Sequence, residues 1–141
     1  MKIQPLHEDF QLPVRSSELA GGYDLFMPQA GVVTPSQSHG FLTGLGFAAE
    51  VPEGYVALLL PRSGAGAKYG LALNNTCGVI DADYRGEWKA CLRTHDKTTF
   101  SWGHGDRILQ FLLVPVFNPE LRIVSELTET GRGEGGFGST G

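Results

Sequence analysis

The sequence predicts an all-β protein built from many short strands. Twenty glycines and eight prolines are spread through 141 residues as turn residues, a composition that disfavours long helices. The apolar stretches between them are short, and they either alternate with polar residues or are apolar throughout, as strands do. A chain of this length is sufficient for one domain with a single hydrophobic core.

The turn residues divide the chain into a series of predicted strands. Pro5 and Pro13 restrict the first segment to a sheet edge. Residues 55–60 are apolar throughout, which predicts a strand buried on both faces. Residues 32–46 are predicted to form a loop. The predicted strands cover an edge segment within 3–13, then 23–27, 45–51, 55–60, 71–74, 79–80, 88–92, the apolar run that follows the turn at 105 and ends at 116, and 123–127.

One short helix is predicted after the strand at 55–60. Residues 61–70 combine a Ser-Gly turn with an alanine-rich piece, and Ser63 would lie near the helix N-terminus. Free backbone N–H groups and the helix dipole favour a phosphate there. Serine is also a common N-cap in any protein, so a purely structural role stays open.

Residues 78–87 are unusually rich in functional groups for a turn. The strand residues Val79 and Ile80 lead into a segment rich in Asp and Gly, which predicts a β-hairpin with the strand that begins at 88. Asp81, Asp83, Tyr84 and Arg85 lie within five positions. A hairpin needs one Asp or Asn and one Gly, so this set indicates a catalytic or binding turn. The alternative is an ordinary surface turn that carries these side chains without a function.

Three isolated polar residues each allow two interpretations. Asp24 is the one acid in an apolar strand, and it could cap its own loop or face a metal ion through water. Asn75 could be a turn residue or could read a base through its amide. Gln110 interrupts a long apolar strand, either as a satisfied core amide or as a ligand contact.

The last residues, 131–141, cannot form a core because Phe137 is their one apolar side chain. Without a ligand this segment is predicted to be mobile. Arg132 and Phe137 suggest a lid, in which the guanidinium, Ser139 and Thr140 bind phosphate and the ring stacks on a planar group.

Charge and composition restrict the kind of partner. A net charge of −4 does not suggest binding to nucleic-acid backbones or acidic membranes. The chain has no apolar run that could cross a bilayer and no signal-peptide core at its N-terminus, so a cytoplasmic protein is expected. Cys77 and Cys91 are then expected to be buried thiols rather than a disulfide or a metal site.

Five segments in this order resemble the trimeric dUTP pyrophosphatase (dUTPase) family. Together they span nearly the whole chain, and the third and fifth are the most specific. The segments are 20–25 (AGGYDL), 61–64 (PRSG), 78–87 (GVIDADYRGE), 105–110 (GDRILQ) and 132–141 (RGEGGFGSTG). Leu109 departs from the small residue that is usual there, and it is expected to face the core or a subunit interface.

The resemblance implies a jelly-roll β-domain over residues 1–131 and a flexible lid over 132–141, assembled as a homotrimer with shared active sites. It implies hydrolysis of dUTP to dUMP and pyrophosphate with Mg²⁺. Asp81 would be the general base, Tyr84 would pack under the deoxyribose, and Asp24 would hold the metal through water. Asp83 is expected to have a structural role in the turn rather than a direct catalytic one. The substrate-binding residues that it implies are Arg62, Ser63, Gly64, Asn75, Gly78, Val79, Ile80, Tyr84, Lys89, Gln110, Arg132, Phe137, Gly138, Ser139 and Thr140.

Three other functions compete with this one. The related dCTP deaminases share the fold, but the tail and the turn of Asp81 and Tyr84 favour hydrolysis of a phosphoanhydride. A nucleotide sensor with little turnover would be expected to have lost a key residue, and none is lost. A β-domain without a ligand leaves Arg132 and Phe137 unexplained. Nothing in the sequence indicates a regulatory protein partner.

Overall fold

The computed structural model describes residues 1–35, 39–95 and 98–137, and these form a mostly β structure with one short helix. The strands all pair antiparallel. In chain order the elements are β1 (Lys2–Pro5), β2 (Tyr23–Leu25), β3 (Gly31–Val33), β4 (Phe41–Gly44), β5 (Phe47–Glu50), β6 (Tyr55–Pro61), α1 (Ser63–Tyr69), β7 (Leu71–Leu73), β8 (Gly78–Ile80), β9 (Lys89–Thr94), β10 (Phe100–Trp102) and β11 (Leu109–Pro115).

The strands form four small sheets that wrap around one core. The largest sheet has the order β2-β11-β6-β8, and a second has the order β4-β9-β7. Two strand pairs, β1 with β5 and β3 with β10, complete the structure. Neighbours in a sheet are far apart in the chain, as in a jelly roll, so the predicted fold class is confirmed.

Aromatic rings join the sheets at the centre of the core. Trp88 is fully buried, with its ring centroid 5.0 Å from that of Phe47 on β5 and 5.3 Å from that of Phe111 on β11. Because Trp88 immediately precedes β9, this packing anchors one end of the segment that carries Asp81. Leu109 is also fully buried, which confirms that it faces the core.

The predicted hairpin across residues 78–92 is wrong. β8 pairs with β6, whereas β9 pairs with β4 and β7. The Asp- and Gly-rich turn therefore carries the chain from one sheet to another. A hairpin and a crossing between two sheets can use the same turn residues, so the local sequence could not distinguish them. The burial of Trp88 determines which sheet the chain enters after the turn.

Two further predictions from the sequence are wrong, one of a loop and one of a strand. Residues 32–46, predicted as a loop, contain the C-terminal part of β3 and all of β4, short edge strands that exist because β10 and β9 supply their hydrogen-bond partners. Residues 123–127, predicted as a strand, have no strand partner among the described residues, and Ile123 and Leu127 are exposed.

Strand β6, predicted to be buried on both faces, is fully buried on one face and half-buried on the other. Ala57 and Leu59 are fully buried on the core side, but Leu58 and Leu60 are half-buried on the other side. The outer face of the largest sheet is thus apolar yet incompletely covered.

The two cysteines are free thiols and are half-buried rather than buried. Among the described residues, no helix is long and apolar enough to cross a membrane.

Candidate active site

The segment from Asp81 to Glu87 folds against itself between β8 and β9. Its first turn is closed by Tyr84 N–H, which donates to the Asp81 carbonyl at 3.2 Å. The Tyr84 hydroxyl donates to the Glu87 carbonyl at 3.0 Å, and the ring lies so close to Gly86 that a Cβ there would be 2.7 Å from Tyr84 Cζ. The phenol is therefore held against its own loop and remains 41% exposed.

The far end of this loop is attached to a neighbouring turn. Glu87 Oε1 accepts a hydrogen bond from Gly46 N–H at 3.1 Å, and its carboxylate carbon would be 2.8 Å from a Cβ on Gly44. Glycine at position 44 thus leaves room for the carboxylate. With Trp88 buried beside it, Glu87 gives the loop a rigid base.

A small pocket lies beside this loop at the edge of the largest sheet. It has a volume of about 180 Å³ and is lined by Val79, Ile80, Asp81, Tyr84 and Lys89.

 Strand β8 pairs with β6 on one side, and in the described part of the chain its other edge has no strand neighbour, so backbone N–H and C=O groups face the pocket edge. Val79 is 59% exposed at this edge. Such a row of backbone groups can recognise the polar edge of a planar base.

Gly78 and Asn75, two of the predicted substrate-binding residues, are not among the residues that line this pocket. Gly78 is buried, and a Cβ there would be 3.0 Å from Leu59 Cβ, a closer contact than side chains normally make, so glycine favours the close approach of β8 to β6. Asn75 is exposed in the turn before β8, and its carbonyl accepts a hydrogen bond from Cys77 N–H at 2.8 Å. The following residue, Thr76, has a φ of 68°, in the left-handed region. Asn75 lies three residues before β8, outside the residues that line the pocket.

A second cluster is centred on Asp24, which is only 5% exposed. Its Oδ1 lies 2.8 Å from Arg62 Nε, and its Oδ2 lies 3.3 Å from Arg107 Nη1. Ser16 Oγ donates to Oδ2 at 2.6 Å. Two arginines and one carboxylate leave this cluster with one net positive charge, as an anion site requires. Asp24 therefore binds side chains from three segments and does not simply cap its own loop.

The cluster opens into a pocket of about 220 Å³. Its lining includes Gly21, Gly22, Asp24, Arg62, Ser63 and Gln110. Gln110 is half-buried, and its Nε2 donates to the Pro61 carbonyl at 3.2 Å, so the amide is satisfied on one side and borders the pocket on the other. The pocket thus combines cationic groups with neutral donors.

Helix α1 starts at the rim of this second pocket. Arg62 is its N-cap, and no side chain caps the first turn. Ser63 and Gly64 are exposed, and the first N–H groups of any helix have no intrahelical acceptor. The predicted position of Ser63 at the start of the one short helix is confirmed.

One chain does not bring the two pockets together. Ile80, next to Asp81, is paired with Ala57, whereas Arg62 follows the opposite end of β6. The five residue-to-residue steps from Ala57 to Arg62 span about 16 Å of extended strand. The carboxylate of the loop and the cationic cluster therefore lie at opposite ends of β6 in the same chain.

The described part of the C-terminal segment, residues 131–137, is almost entirely exposed. The Arg132 guanidinium contacts only its own turn among the described residues, donating from Nε to the Gly135 carbonyl at 2.7 Å. Phe137 is fully exposed. Gly138, Ser139 and Thr140 lie outside the described residues.

Two residues of the cationic cluster received no individual role from the sequence. Arg107 lies within the GDRILQ segment, and its position two residues before β11 was the available signal. It also stacks on Phe26, with Cζ 5.7 Å from the ring centroid. Ser16 belongs to a polar loop without any motif, and only the three-dimensional structure shows its hydrogen bond to Asp24.

Known proteins resemble this chain along almost its whole length. A family model described as dUTPase matches residues 8–141. The deoxyuridine 5'-triphosphate nucleotidohydrolase of Nautilia profundicola is 39% identical over 141 residues, covering 100% of this chain and 98% of that protein. The enzyme of the same name from Corynebacterium diphtheriae is 44% identical, covering 99% of this chain and 91% of that protein.

Solved structures agree with the sequence comparison. The dUTPase of Staphylococcus bacteriophage 80alpha with dUpNHpp superposes with a TM-score of 0.88 at 28% identity, covering 99% of this chain and 97% of that one. A dUTPase mutant of phage phi11 of S. aureus, described with a structural Mg(II) ion, gives a TM-score of 0.76 at 27% identity, covering 89% of this chain and 96% of that one. With sequence, fold and coverage in agreement, this chain belongs to the dUTPase family of hydrolases.

Proposed function

We propose that this protein hydrolyses dUTP to dUMP and pyrophosphate. The observation that carries the proposal is the exposed Asp81 beside a pocket formed by Tyr84 and the open edge of β8. This arrangement offers a carboxylate, a flat ring and a row of backbone groups in one place. Family membership and the names of the relatives support the same substrate.

The experiment that tests this proposal is an assay of all deoxynucleoside triphosphates, with and without Mg²⁺, that follows pyrophosphate release. We expect rapid release of pyrophosphate from dUTP and far slower hydrolysis of the other nucleotides. Release of ammonia from dCTP would instead assign the chain to the deaminase chemistry that shares this fold.

Base and sugar are read at the β8 pocket. The uracil edge pairs with backbone groups of Gly78, Val79 and Ile80 and with the Asn75 amide, and cytosine would leave such groups unpaired. Tyr84 packs under the deoxyribose and excludes a 2′-hydroxyl, while Lys89 contacts the nucleoside from the start of β9.

The chemical step is an in-line attack of water on the α phosphorus. Asp81 accepts a proton from that water as the new P–O bond forms, and the bond from the α phosphorus to the bridging oxygen breaks to release pyrophosphate. Arg62, Ser63, Gly64 and Gln110 bind the phosphate oxygens and offset their charge.

The cationic cluster fits a magnesium triphosphate better than a bare metal ion. Mg²⁺ is held largely by substrate phosphates and waters, and when bound it would offset charge on the triphosphate. Asp24 is buried, and its Oδ2 already accepts from Ser16 and Arg107. Its Oδ1 has the Arg62 guanidinium as its one partner among the described residues, so this oxygen retains acceptor capacity for a metal-bound water. Asp24 would therefore hold the metal through water rather than directly.

The active enzyme is proposed to be a homotrimer with shared sites. The two pockets lie at opposite ends of β6, so a second chain must supply one of them for a single substrate to contact both. The outer face of the largest sheet carries Leu58, Leu112 and the exposed Val79 side by side, an apolar surface that a neighbouring chain can cover. Ile123 and Leu127 are likewise exposed in one chain.

Assembly can be tested at the centre of this apolar surface. Leu58→Asp places a charge there, where a single chain leaves it half in water but an interface would bury it. We expect the variant to lose the trimer in light scattering and to lose activity by about two orders of magnitude. Val32→Asp, at an exposed position on β3, is the control. A fully active Leu58→Asp trimer would contradict this interface.

Sugar discrimination can be tested at Tyr84. Tyr84→Ala should raise activity on UTP relative to dUTP by about tenfold or more, because the ring no longer fills the space of a 2′-hydroxyl. Tyr84→Phe keeps the ring and loses only the hydrogen bond to Glu87, so it should still reject UTP. If Tyr84→Ala rejects UTP as strongly as the unmodified protein, another group reads the sugar.

Residues 132–141 are proposed to act as a lid on the domain formed by residues 1–131. Arg132 would bind the terminal phosphate, Phe137 would stack on the uracil, and Gly138, Ser139 and Thr140 would close over the phosphates. The support is the exposure of Arg132 and Phe137, which have no docking place on their own chain among the described residues.

The product has a clear use in a cell. dUMP is the substrate for thymidylate synthesis, and removal of dUTP keeps uracil out of DNA. We propose a cytoplasmic enzyme whose partners are dUTP and two further copies of itself, with no direct contact to nucleic acid.

A further inference from the structure

Arg85 lies in the loop of Asp81 and Tyr84, yet the proposed chemistry gives it no role. Its side chain is turned back onto the loop rather than toward the pocket. Nη1 donates to the Ala82 carbonyl at 2.7 Å and to the Tyr84 carbonyl at 3.1 Å. One guanidinium nitrogen thus joins two carbonyls on either side of Asp83.

These contacts supplement a weak turn. Within residues 81–84, the backbone hydrogen bond that closes the turn is the one from Tyr84 N–H to the Asp81 carbonyl, and its length of 3.2 Å is at the long end of the normal range. In the described part of the chain, the remaining backbone hydrogen bonds outside the strands do not involve the Ala82 or Tyr84 carbonyls. The charged donor of Arg85 therefore restrains the part of the loop that the backbone leaves free.

An ion pair with Glu50 is the competing explanation for Arg85. The distance from Arg85 Nε to Glu50 Oε1 is 4.0 Å, whereas Lys2 Nζ lies 3.0 Å from Glu50 Oε2. The hydrogen bond and charge of Lys2 are the main reason that the pKa of Glu50 is lowered, and Arg85 contributes less. Exposed ion pairs of this kind contribute little. The carbonyl contacts are the stronger interaction of Arg85.

We propose that Arg85 is a positioning residue whose guanidinium clasps the loop and keeps Asp81 and Tyr84 in fixed relative positions. This inference rests on the proposed function, in which Asp81 orients the water and Tyr84 supports the sugar. A loop without the clasp would still present both side chains, but with a wider spread of positions.

The test is Arg85→Met, which keeps the apolar stem and removes all donors. Small misplacements of catalytic groups are costly, so we expect kcat for dUTP to fall about tenfold or more with a smaller change in KM. The ratio of dUMP to UMP affinity should also fall, because Tyr84 is less well placed. Arg85→Lys, which retains a flexible donor, should lie between Arg85→Met and the unmodified protein.

Glu50→Gln is the matched control, since it removes the ion pair and leaves the carbonyl contacts. It should have nearly unchanged kcat and nucleotide preference. Equal losses in Glu50→Gln and Arg85→Met would overturn the clasp in favour of the ion pair. An unchanged kcat in Arg85→Met would also overturn it, as would a lower melting temperature with no change in kcat or in the dUMP to UMP ratio.

The outcome is separable from that of the proposed function. The affinity ratio for dUMP and UMP requires no turnover, so it reports on the clasp even if Asp81 is not the base. Conversely, Asp81→Asn could abolish dUTP hydrolysis while Arg85→Met behaves like the unmodified protein. That result would support the proposed function and refute only the role of Arg85.

Discussion

Asp81→Asn should lower dUTP turnover by about two to four orders of magnitude, the usual scale for the loss of a general base. The amide keeps the size of the side chain and can still contact the attacking water, but it cannot accept the proton. Because Asp81 is exposed at the pocket and not part of the core, folding should be unaffected. Steady-state kinetics on dUTP, with affinity for a non-hydrolysable dUTP analogue measured separately, checks both parts.

Asp83→Asn is the matched control for this variant. Asp83 is also an exposed acid of the same turn, two positions along, and it lies outside the residues that line the pocket. Its amide variant should turn over dUTP at close to the normal rate. Full activity in Asp81→Asn would remove this carboxylate from the mechanism, and an equal loss in both variants would point to the charge of the loop rather than to one base.

Removal of residues 132–141 should leave a folded trimer that hydrolyses dUTP at least about a hundredfold more slowly, because the phosphates and the ring would no longer be enclosed. The segment begins beyond the last strand, and Phe137 makes no core contact among the described residues. Melting temperature and light scattering should therefore be unchanged. The kinetic measurement is kcat/KM for dUTP in the truncated and full chains.

Single substitutions divide the expected loss between the two contacts of the lid. Phe137→Ala should weaken affinity for the uracil nucleotide, and Arg132→Ala should weaken affinity for the triphosphate more than for dUMP. A truncated protein as fast as the full chain would refute the lid. A truncated protein that no longer forms a trimer would show instead that the segment serves assembly.

Local patterns predicted the elements whose signal lies in neighbouring residues. The Ser-Gly and alanine pattern indicated α1, and the helix begins at Ser63. The apolar run after residue 105 indicated β11, which spans Leu109–Pro115. The Pro residues near the N-terminus indicated an edge strand, and β1 pairs only with β5 among the described strands. In each case the period or the backbone restriction is a property of the segment itself.

Errors arose where a segment depends on a distant partner. The turn around Asp81 resembles a hairpin, but Trp88 packs between Phe47 and Phe111 and carries the chain into another sheet. Strands β3 and β4 are too short to show a period, and they form because β10 and β9 lie alongside. Residues 123–127 have an apolar pattern but find no strand partner among the described residues.

The amino-acid sequence was sufficient to identify the family, because the side chains of its motifs and their order are what the family members share. It also determined that glycine-rich turns and short apolar runs form a β-domain. The packing of the sheets was needed to show that Asp24 is held by two arginines and a serine, that β8 has no second strand partner among the described residues, and that Arg85 binds its own loop. These features join atoms from segments whose distance and orientation depend on how the sheets pack, which no local pattern encodes.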